Sequence, residues 1–483
     1  MAGILSFGAY VPRLRLQRSA IYEANRWFAP GLRGLARGER AIANWDEDVI
    51  TMAVEAARDC VASDAREPIA TVMLASTSFP FADRQNAGVV KEALNLRDDV
   101  ATHDLGCSLK AGTGALLQAC RAAAAGGPVL VIGSEQRRTR PASEDELLNG
   151  DGAAAFLVGE GDGFARFLGA ASVSVDFVDH FRPAGAEFDY GWESRWVRDE
   201  GHSKLAADAI DKVLRKHKLS GSDISALIVG IASKGVAITL AKKAGIPAQA
   251  VCDDLAEVMG NAGGAHPLVL LAHALEKANP ADKLLVVGFG QGADALLFEA
   301  TAAIASRPNA HGLSKWLRRG VKETNYCKFL AFTGQLRLEL GKRAEFEQKP
   351  VLSALYRNRK AVLALVGGRC TKTGTIQFPQ SQISVDQEHS MLDTQEDYPL
   401  ADRRATVLTY TADQLTYTPD PPNYYGMIEF EGGGRMLSEF TDVDPERIDV
   451  GAPMRMMFRV KARDERSGFI KYFWKAVPAQ END

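Results

Sequence analysis

The sequence of 483 residues has few cysteines, and they form no pattern. Its six cysteines lie far apart, without the paired spacing of a zinc cage or the density of a disulfide-stabilised secreted domain. This scarcity argues against a disulfide framework and against a cysteine-based metal centre. We therefore expect reduced thiols.

The sequence also lacks a long apolar run and an excess of charge of either sign. Charged residues make up 24% of the chain and the formal net charge is -4, which gives no electrostatic footprint for nucleic acid. No apolar run is long enough to span a bilayer, and the first residues are typical of a strand and turn rather than a leader peptide. We predict a cytoplasmic protein that binds neither nucleic acid nor a membrane.

An internal repeat is the clearest sign of organisation. An apolar strand at 128–136, "PVLVIGSEQ", is followed by a glycine turn and a second apolar strand at 150–160, "GDGAAAFLVGE". The same pattern recurs at 283–300, "KLLVVGFGQGADALLFEA". Because helical periodicity surrounds these strands, we predict layered α/β architecture built from two repeated halves, at about 1–170 and 171–305.

The carboxy-terminal part of the chain differs in composition. Residues 313–340 show helical periodicity, whereas the residues from Thr371 onward are richer in Thr, Gln, Asp, Tyr and Pro. Several runs between about 404 and 477 alternate as antiparallel strands do. We predict a small barrel or sandwich there.

A cysteine lies among small residues where a helix is expected to begin. In "HDLGCSLKAGTGAL", residues 103–116, the residues that follow Cys107 have helical spacing. Amides and the dipole at a helix amino terminus favour an anion, so they would stabilise a thiolate. Alternatively, Cys107 is a small buried apolar residue, as most free cysteines are. The pattern alone leaves both interpretations open.

Several motifs resemble, in order, those of the archaeal-type 3-hydroxy-3-methylglutaryl-CoA synthases, which belong to the thiolase superfamily. They are "GILSFGAYVPRLRL", the glycine-flanked Cys107, "GDGAAAFLVG", "HFRP", "GNAGGAHPL" and "GFGQGADALLFE". The resemblance covers about residues 1–345. It implies a thiolase-like layered αβαβα fold with an amino-terminal half at 1–170 and a carboxy-terminal half, including terminal helices, at 171–350.

The tail, from about residue 357, resembles the OB-fold, zinc-ribbon proteins that accompany thiolases and archaeal-type synthases as separate chains. Their Cys-x-x-Cys-Gly knuckle matches "RCTKTG", in which Thr373 stands in place of the second cysteine, and only His389 is nearby as a further ligand. A structural zinc site needs about four ligands. We predict a linker and degenerate ribbon without metal at 351–403 and an OB-fold at 404–483.

The resemblance also implies an acyl-cysteine mechanism in which Cys107 is the nucleophile. The tetrahedral oxyanion would be held by the amide of Cys107 and by an amide of the glycine loop 288–292, for which Gly290 and Gly292 are the candidates. Asn261 matches the family asparagine that binds the acyl carbonyl or the activating water.

Other positions depart from the synthase pattern. Ser78 stands where the synthases carry their general-base glutamate, and we predict that it helps to bind the oxyanion or the substrate. Asp83 either substitutes for the glutamate or is an ordinary loop or helix-cap residue. The family histidine is replaced by Ser233 and Lys234. His266 either acts as an acid or base near the acyl-cysteine, or is a helix-start histidine bonded to the backbone.

Two cationic residues and two tryptophans are candidates for substrate binding. Arg137 and Lys234 could pair with the phosphates of coenzyme A, or could lie on a solvated face. Trp192 and Trp196 could line an acyl pocket or pack in the core.

The favoured function is an acyl-CoA acyltransferase that makes or cleaves a carbon–carbon bond next to a thioester through an acyl-cysteine. A coenzyme A thioester would be its substrate, and no cofactor would be bound permanently. The missing base and histidine leave two alternatives, an acyl-CoA-binding subunit or a retro-aldolase, each acting with a partner thiolase. The resemblance further implies a homodimer.

Overall fold

The computed structural model describes residues 2–231, 233–307, 312–339, 352–386, 391–464 and 466–479. The chain forms two compact units. Unit 1 comprises Met1–Asn44, Met52–Gly88 and Arg97–Leu330, and unit 2 comprises Trp45–Thr51, Val89–Leu96 and Ala331–Asp483. Two short amino-terminal segments therefore belong to unit 2, which the composition of the chain did not indicate.

Unit 1 contains a nine-stranded mixed sheet in the order β11-β12-β13-β8-β1-β7-β6-β4-β5, a three-stranded sheet in the order β14-β2-β3, and the two-stranded hairpin of β9 and β10. The strands are β1 (Ala2–Tyr10), β2 (Leu14–Gln17), β3 (Glu39–Ile42), β4 (Thr71–Ala75), β5 (Ala101–Leu105), β6 (Val129–Glu135), β7 (Gly152–Glu160), β8 (Ala165–Ser174), β9 (His180–Phe181), β10 (Tyr190–Gly191), β11 (Ala226–Val229), β12 (Lys283–Phe289), β13 (Gly292–Ala300) and β14 (Val321–Glu323).

The predicted repeat is present in the large sheet. In the first half, β4 runs parallel to β6, and β6 is antiparallel to β7. In the second half, β11 runs parallel to β12, and β12 is antiparallel to β13. The halves join where β1 pairs with β8, with Gly3 opposite Arg166.

The helices of the chain are α1 (Arg18–Asn25), α2 (Val49–Cys60), α3 (Asn86–Ala93), α4 (Ala111–Gly126), α5 (Glu144–Leu148), α6 (Ser194–Trp196), α7 (Ala207–His217), α8 (Val236–Ala244), α9 (His266–Lys277), α10 (Leu313–Arg318), α11 (Tyr326–Phe332), α12 (Leu352–Arg357) and α13 (Arg359–Leu363). Of these, α12 and α13 belong to unit 2. The helices α4 and α9 contact each other and strands of both halves, so they form a central helical layer. Outside it, α7 packs on β8 and β13. The expected layered α/β architecture is therefore confirmed.

One segment differs from the helix that periodicity predicts, and another is an unusual helix. Within 313–339, residues Val321–Glu323 form a strand parallel to β2, because their backbone completes the edge of the β2–β3 pair. Before α7, residues Val197–Ala206 form a π-helix. Such helices are rare and occur often at functional sites. Residue 340 lies outside the described residues.

Unit 2 contains the β-rich tail. Its three-stranded sheet has the order β16-β15-β17, and its five-stranded sheet has the order β20-β19-β18-β21-β22. An isolated bridge between Phe440 and Ala476 brings the end of β20 to β22, so the five-stranded sheet is nearly closed. The strands are β15 (Val366–Cys370), β16 (Ile376–Gln377), β17 (Gln395–Pro399), β18 (Arg404–Asp413), β19 (Asn423–Phe430), β20 (Arg435–Glu439), β21 (Pro453–Arg463) and β22 (Ile470–Pro478).

A buried charge network lies inside unit 2. Arg459 is fully buried, and its guanidinium lies 2.9 Å from Glu47 and 3.0 Å from Asp442. Lys475 lies 3.0 Å from Asp46. Removing one partner of such a group leaves a buried charge unpaired, which is strongly destabilising. The network explains why the segment Trp45–Thr51 belongs to this unit.

None of the helices in the described ranges combines the length and the apolar character that crossing a membrane requires.

Candidate active site

Cys107 lies in the turn between β5 and α4, four positions before the first residue of α4 at Ala111. Its side chain is exposed and its φ is +67°. A positive φ is uncommon for a residue other than glycine, and strained backbone of this kind is concentrated at active sites. Burial, by contrast, raises the pKa of the Cys60 and Cys120 thiols to about 12. The interpretation of Cys107 as a buried apolar residue is therefore wrong.

The glycine loop 288–292 packs directly against this turn. Ser108 donates a hydrogen bond from its hydroxyl to the carbonyl of Gly290 at 2.9 Å. A Cβ atom on Gly290 would lie 2.5 Å from the Ser108 Oγ and 2.8 Å from the amide nitrogen of Leu109. Only glycine permits this approach, and the structure thus brings the predicted loop to the cysteine.

The backbone N–H groups of this loop that are available to an oxyanion are not the ones that the sequence predicts. Gly290 donates its amide to the carbonyl of Gly292 at 2.9 Å, so the prediction of Gly290 as an oxyanion donor is wrong. Gly292 begins β13 and pairs with Ser174. Between them, Gln291 has a φ of +47°, and its amide makes no hydrogen bond to the described residues. The same is true of the amide of Cys107, so these two N–H groups are free to bind an oxyanion.

A buried carboxylate that sequence reasoning missed lies nearby. Glu135, the last residue of β6, is fully buried. Its oxygens accept hydrogen bonds from the Thr77 amide at 3.0 Å, the Gly264 amide at 3.1 Å and the Ser76 hydroxyl at 3.0 Å. They also accept a hydrogen bond from the hydroxyl of Ser78. The carboxyl ends of the parallel strands β4 and β6 meet at one edge of the sheet, and this was the signal that could have revealed the pair.

The hydroxyl of Ser78 is therefore hydrogen-bonded to the carboxylate of Glu135. Besides donating to Glu135, this hydroxyl accepts a hydrogen bond from the amide of Gln136 at 3.0 Å. Ser78 is half-buried, whereas Asp83 is exposed. The structure thus places a carboxylate from β6, rather than Asp83, against Ser78.

Asn261 lies in a glycine loop that reaches the same carboxylate. The side-chain oxygen of Asn261 accepts the amide of Gly263 at 2.8 Å, and the next residue, Gly264, donates to Glu135. The side-chain NH2 group of Asn261 makes no hydrogen bond to the described residues. It is thus free to donate to an acyl carbonyl or a water molecule.

His266 does not have the expected acid–base role. It is 2% exposed, its Nδ1 accepts the amide of Ala262 at 3.3 Å, and its Nε2 lies 3.1 Å from the carbonyl of Asp254. Burial lowers the pKa of His266 to about 4. Because both ring nitrogens bond to the backbone, the prediction of His266 as a catalytic residue is wrong, and the alternative of a histidine that fixes the start of α9 is the one observed.

The two predicted phosphate-binding residues, Arg137 and Lys234, differ in their ion pairing. Arg137 forms an ion pair with Asp189, which also binds Arg182 at 2.9 Å. Because Arg137 and Arg182 share this one carboxylate, a positive charge remains at the cluster, and Arg137 as a phosphate ligand stays a prediction. Lys234 is exposed and makes no hydrogen bond or ion pair with the described residues, so its charge is free to meet an anion.

Two cavities share Asp176, and one of them is lined by the cysteine turn. The first, of about 410 Å³, is lined by residues of the turn and of the glycine loop, among them Ser108, Lys110 and Gln291. The second, of about 420 Å³, is lined mainly by aromatic side chains, namely Phe181, Tyr190, Trp192 and Trp196. Trp192 is 59% exposed, which rules out core packing for it, whereas Trp196 is 39% exposed and stacks on Phe177 with 4.4 Å between the ring centroids.

Within the described ranges, no three or more His, Cys, Asp or Glu side chains are grouped as a metal site would need. In the ribbon region, the sulfur of Cys370 lies 3.1 Å from the Thr394 hydroxyl. Hydrogen bonds from Thr373 and Thr394 lower the pKa of Cys370 to about 6. His389 lies outside the described residues, so the absence of metal stays a prediction.

Comparison with known proteins assigns a family. Hydroxymethylglutaryl-CoA synthase of Archaeoglobus fulgidus is 30% identical over 320 residues, which cover 64% of this chain and 92% of the relative. The chain belongs to the hydroxymethylglutaryl-CoA synthase family. The corresponding enzyme of Methanothermobacter thermautotrophicus is 28% identical over 352 residues, covering 70% of this chain and all of the relative. Family membership makes the chain an acyltransferase of the thiolase superfamily.

Solved structures and domain families agree with this assignment. A hydroxymethylglutaryl-CoA synthase complexed with CoA superimposes with a TM-score of 0.60 at 17% identity, covering 72% of this chain and 94% of that one. A 3-oxoacyl-(acyl carrier protein) synthase III of Pseudomonas aeruginosa gives 0.55 at 22% identity, covering 62% and 98%. Residues 214–299 match the 3-oxoacyl-[acyl-carrier-protein] synthase III C-terminal family, and residues 398–459 match the ChsH2 C-terminal OB-fold domain. The predicted thiolase-like fold and OB-fold are confirmed.

Proposed function

We propose that this synthase-family protein takes an acyl group from a coenzyme A thioester onto Cys107 and then makes or cleaves a carbon–carbon bond beside the thioester carbonyl. The observation that carries this proposal is the exposed Cys107 on a strained turn, with two unbonded amides next to it. The turn leads into the amino terminus of α4, and Cys107 reacts as its thiolate, the nucleophilic form of a cysteine.

In the first step, the Cys107 sulfur attacks the thioester carbonyl carbon. The negative charge that develops on the carbonyl oxygen is bound by the amides of Cys107 and Gln291. Collapse of this intermediate breaks the bond to the sulfur of coenzyme A, which leaves as a thiolate and takes a proton from water. Asn261 then orients the second substrate or a water molecule at the acyl group.

Coenzyme A thioesters fit the surroundings of the cysteine. One solved relative is a hydroxymethylglutaryl-CoA synthase that holds CoA. The exposed ammonium of Lys234 is suited to a phosphate of the cofactor. The aromatic cavity, with Trp192 and Trp196, is suited to an apolar acyl group. No permanently bound cofactor is needed for these steps.

We further propose a cytoplasmic homodimer. The strand β5 is the last strand of the large sheet, and Ala101, His103 and Asp104 on it are exposed. An open edge of this kind pairs readily with another strand. Light scattering during size-exclusion chromatography tests this proposal, and a monomer would contradict it.

The experiment that tests the acyl transfer is incubation of the purified protein with acetyl-CoA, followed by intact-mass measurement. We expect one acetyl group on the wild-type protein and none on Cys107→Ala. An unmodified wild-type protein, tested with acetyl-CoA and with a longer acyl-CoA, would contradict the proposal.

A second candidate is supported by the serine at position 78 and by the ChsH2-type OB-fold. It is an acyl-CoA-binding subunit or retro-aldolase that acts with a partner thiolase. Cleavage by a retro-aldol route needs no acyl-cysteine, so full activity of Cys107→Ala would favour it. Co-elution of a thiolase from cell extract would favour the binding subunit.

A further inference from the structure

We propose that Ser78 and Glu135 together perform the proton transfer of the carbon–carbon bond step, with Ser78 as the catalytic residue and Glu135 as the positioning residue that receives the proton. This inference rests on the proposed function. The Ser78 oxygen takes a proton from the carbon next to the thioester carbonyl, while its own proton passes to Glu135. The C–H bonding electrons stay on the substrate as an enolate, which attacks the electrophilic carbonyl.

The hydrogen bonds around Glu135 support this direction of transfer. The same carboxylate oxygen accepts the hydroxyls of Ser78 and Ser76, while the other oxygen accepts the amide of Gly264. The amide of Thr77 reaches both oxygens. With its proton donated to Glu135, the Ser78 oxygen has a lone pair left for an incoming proton.

The charge of Glu135 is not neutralised by a cation. Every hydrogen bond to its carboxylate in the described part of the chain comes from a neutral hydroxyl or amide. The nearby Arg137 is paired with Asp189 instead. Among the described residues, the oxygens of Glu135 therefore meet only neutral donors, and the hydroxyl of Ser78 is one of them.

A proton relay needs one group that the substrate can reach and one group that is shielded from solvent. Glu135 is fully buried, whereas Ser78 is half-buried. The hydroxyl of Ser78 therefore links the buried carboxylate to the accessible side of the site. A carboxylate in this position could not reach a substrate by itself.

The residues on either side of Cys107 lie close to the two loops that bind Glu135, namely the loop of Ser76 and the loop of Gly264. A Cβ atom on Gly106 would lie 3.1 Å from the carbonyl of Ser76. A Cβ atom on Gly264 would lie 3.1 Å from the carboxylate of Glu135 and 3.6 Å from the carbonyl of Leu109. The relay is thus held by residues that flank Cys107.

The competing explanation is that Glu135 only ties the loops of Thr77 and Gly264 together. A structural tie would affect capture of the acyl group and proton transfer alike, because both depend on the same loops. A relay would affect proton transfer alone. The two steps can be measured separately with acetyl-CoA, as acetylation of Cys107 by mass and as exchange of the acetyl methyl protons in D2O by NMR.

Four variants separate these explanations. Ser78→Ala removes the relay hydroxyl, Ser78→Thr restores one, and Glu135→Gln keeps the size of the side chain without its charge. Asp83→Asn is the matched control, because Asp83 is an exposed carboxylate shortly after Ser78 in the chain.

We expect Ser78→Ala and Glu135→Gln to acetylate Cys107 at close to the wild-type rate. Their methyl exchange should fall about 10²-fold or more, as is typical of losing a general base. Ser78→Thr should recover most of the exchange, and Asp83→Asn should leave both steps unchanged.

Wild-type exchange in Ser78→Ala would overturn this inference and leave the proposed function intact. Equal loss of acetylation and exchange in both variants would overturn it in favour of the structural tie. Acetylation without any exchange in the wild type would also overturn it. Failure of the wild type to acetylate would instead overturn the proposed function.

Discussion

The two halves of unit 1 have the same pattern of strands and helices but carry different chemistry. The helix α4 of the first half follows an exposed cysteine at positive φ. Its counterpart α9 begins at His266, which is buried and bonded to the backbone through both ring nitrogens. The same place in the repeat therefore presents a reactive side chain in one half and fixes a loop in the other.

The last residues of the equivalent strands β6 and β12 also differ in their chemistry. In the first half, β6 ends at Glu135, which gathers neutral donors from two loops. In the second half, β12 ends at Phe289, whose ring packs on His202 and Phe177 at 4.6 and 6.0 Å between centroids. The groups that we propose as nucleophile and as proton relay thus lie in the first half, whereas the proposed roles of the Gln291 amide and Asn261 belong to the second half.

Replacement of the cysteine should have the largest effect. Cys107→Ser should lower the rate of coenzyme A release from acetyl-CoA by about 10³-fold or more, because a hydroxyl at this site is a far weaker nucleophile. Release is followed by thiol detection. Cys327→Ser is the control, since Cys327 is also exposed. A similar loss in the control would show that the first half does not hold the nucleophile.

Crowding the contact between the halves should have the next largest effect. In Gly290→Ala, the new methyl group meets Ser108 and Leu109 and separates the glycine loop from the cysteine turn. We expect a loss of about 10- to 100-fold in the acetylation rate from the misplaced oxyanion donor.

Gly114→Ala is the matched control for this variant, because a Cβ atom there meets nothing within 4 Å inside α4. It should keep its activity and gain about 1 kcal/mol in the free energy of unfolding. Equal activity of Gly290→Ala and Gly114→Ala would contradict the oxyanion site.

The buried histidine should make the stability of the protein sensitive to acid. Burial lowers the pKa of His266 to about 4 in the folded state, while an unfolded histidine titrates at about 6.5. The unfolded state therefore binds more protons between these values, and the free energy of unfolding should fall by up to about 3 kcal/mol as pH drops through this window. Above pH 6.5 the contribution should be constant.

Urea unfolding, followed by circular dichroism at several pH values, measures this effect. His266→Asn should reduce the loss of stability below pH 6.5 without abolishing it, because burial also lowers the pKa of His202 to about 4. The exposed His103→Asn should leave the loss unchanged. An unchanged slope in His266→Asn would contradict the structural role assigned to the second half.

The smallest effect should come from replacing Lys234, whose charge is exposed to solvent. Lys234→Ala removes a charge that meets no described partner. We expect the KM for acetyl-CoA to rise a few-fold, in line with about 1 kcal/mol for an exposed ion pair, with kcat unchanged. Steady-state kinetics at low salt measure it. An unchanged KM would remove Lys234 from the proposed phosphate site.

The repeat in the large sheet could be predicted because local patterns encode it, since the apolar runs at 128–136 and 283–300 repeat. The local pattern around Cys107 left its role open, and only the resemblance to the synthases indicated a nucleophile. Two parts of unit 2 could not be predicted, because the segments Trp45–Thr51 and Val89–Leu96 join it through long-range packing. No local pattern indicates such packing.

The hydrogen bonds of Glu135 and His266 could not be predicted from the sequence for a physical reason. Glu135 receives its donors from Ser76–Ser78 and from Gly264, which lie far away in the chain, so "GSEQ" alone shows only the polar end of a strand. The ring of His266 also fits either role until its hydrogen bonds are known. The free amide of Gln291 depends on a backbone φ that its residue type does not indicate.

The central claim is that Cys107 carries the acyl group. The most direct measurement is peptide mapping of the protein after brief reaction with isotopically labelled acetyl-CoA and quenching in acid. We predict the label on the peptide that contains Cys107. Label on the peptide of Cys327, or on none of the cysteine peptides, would contradict the account.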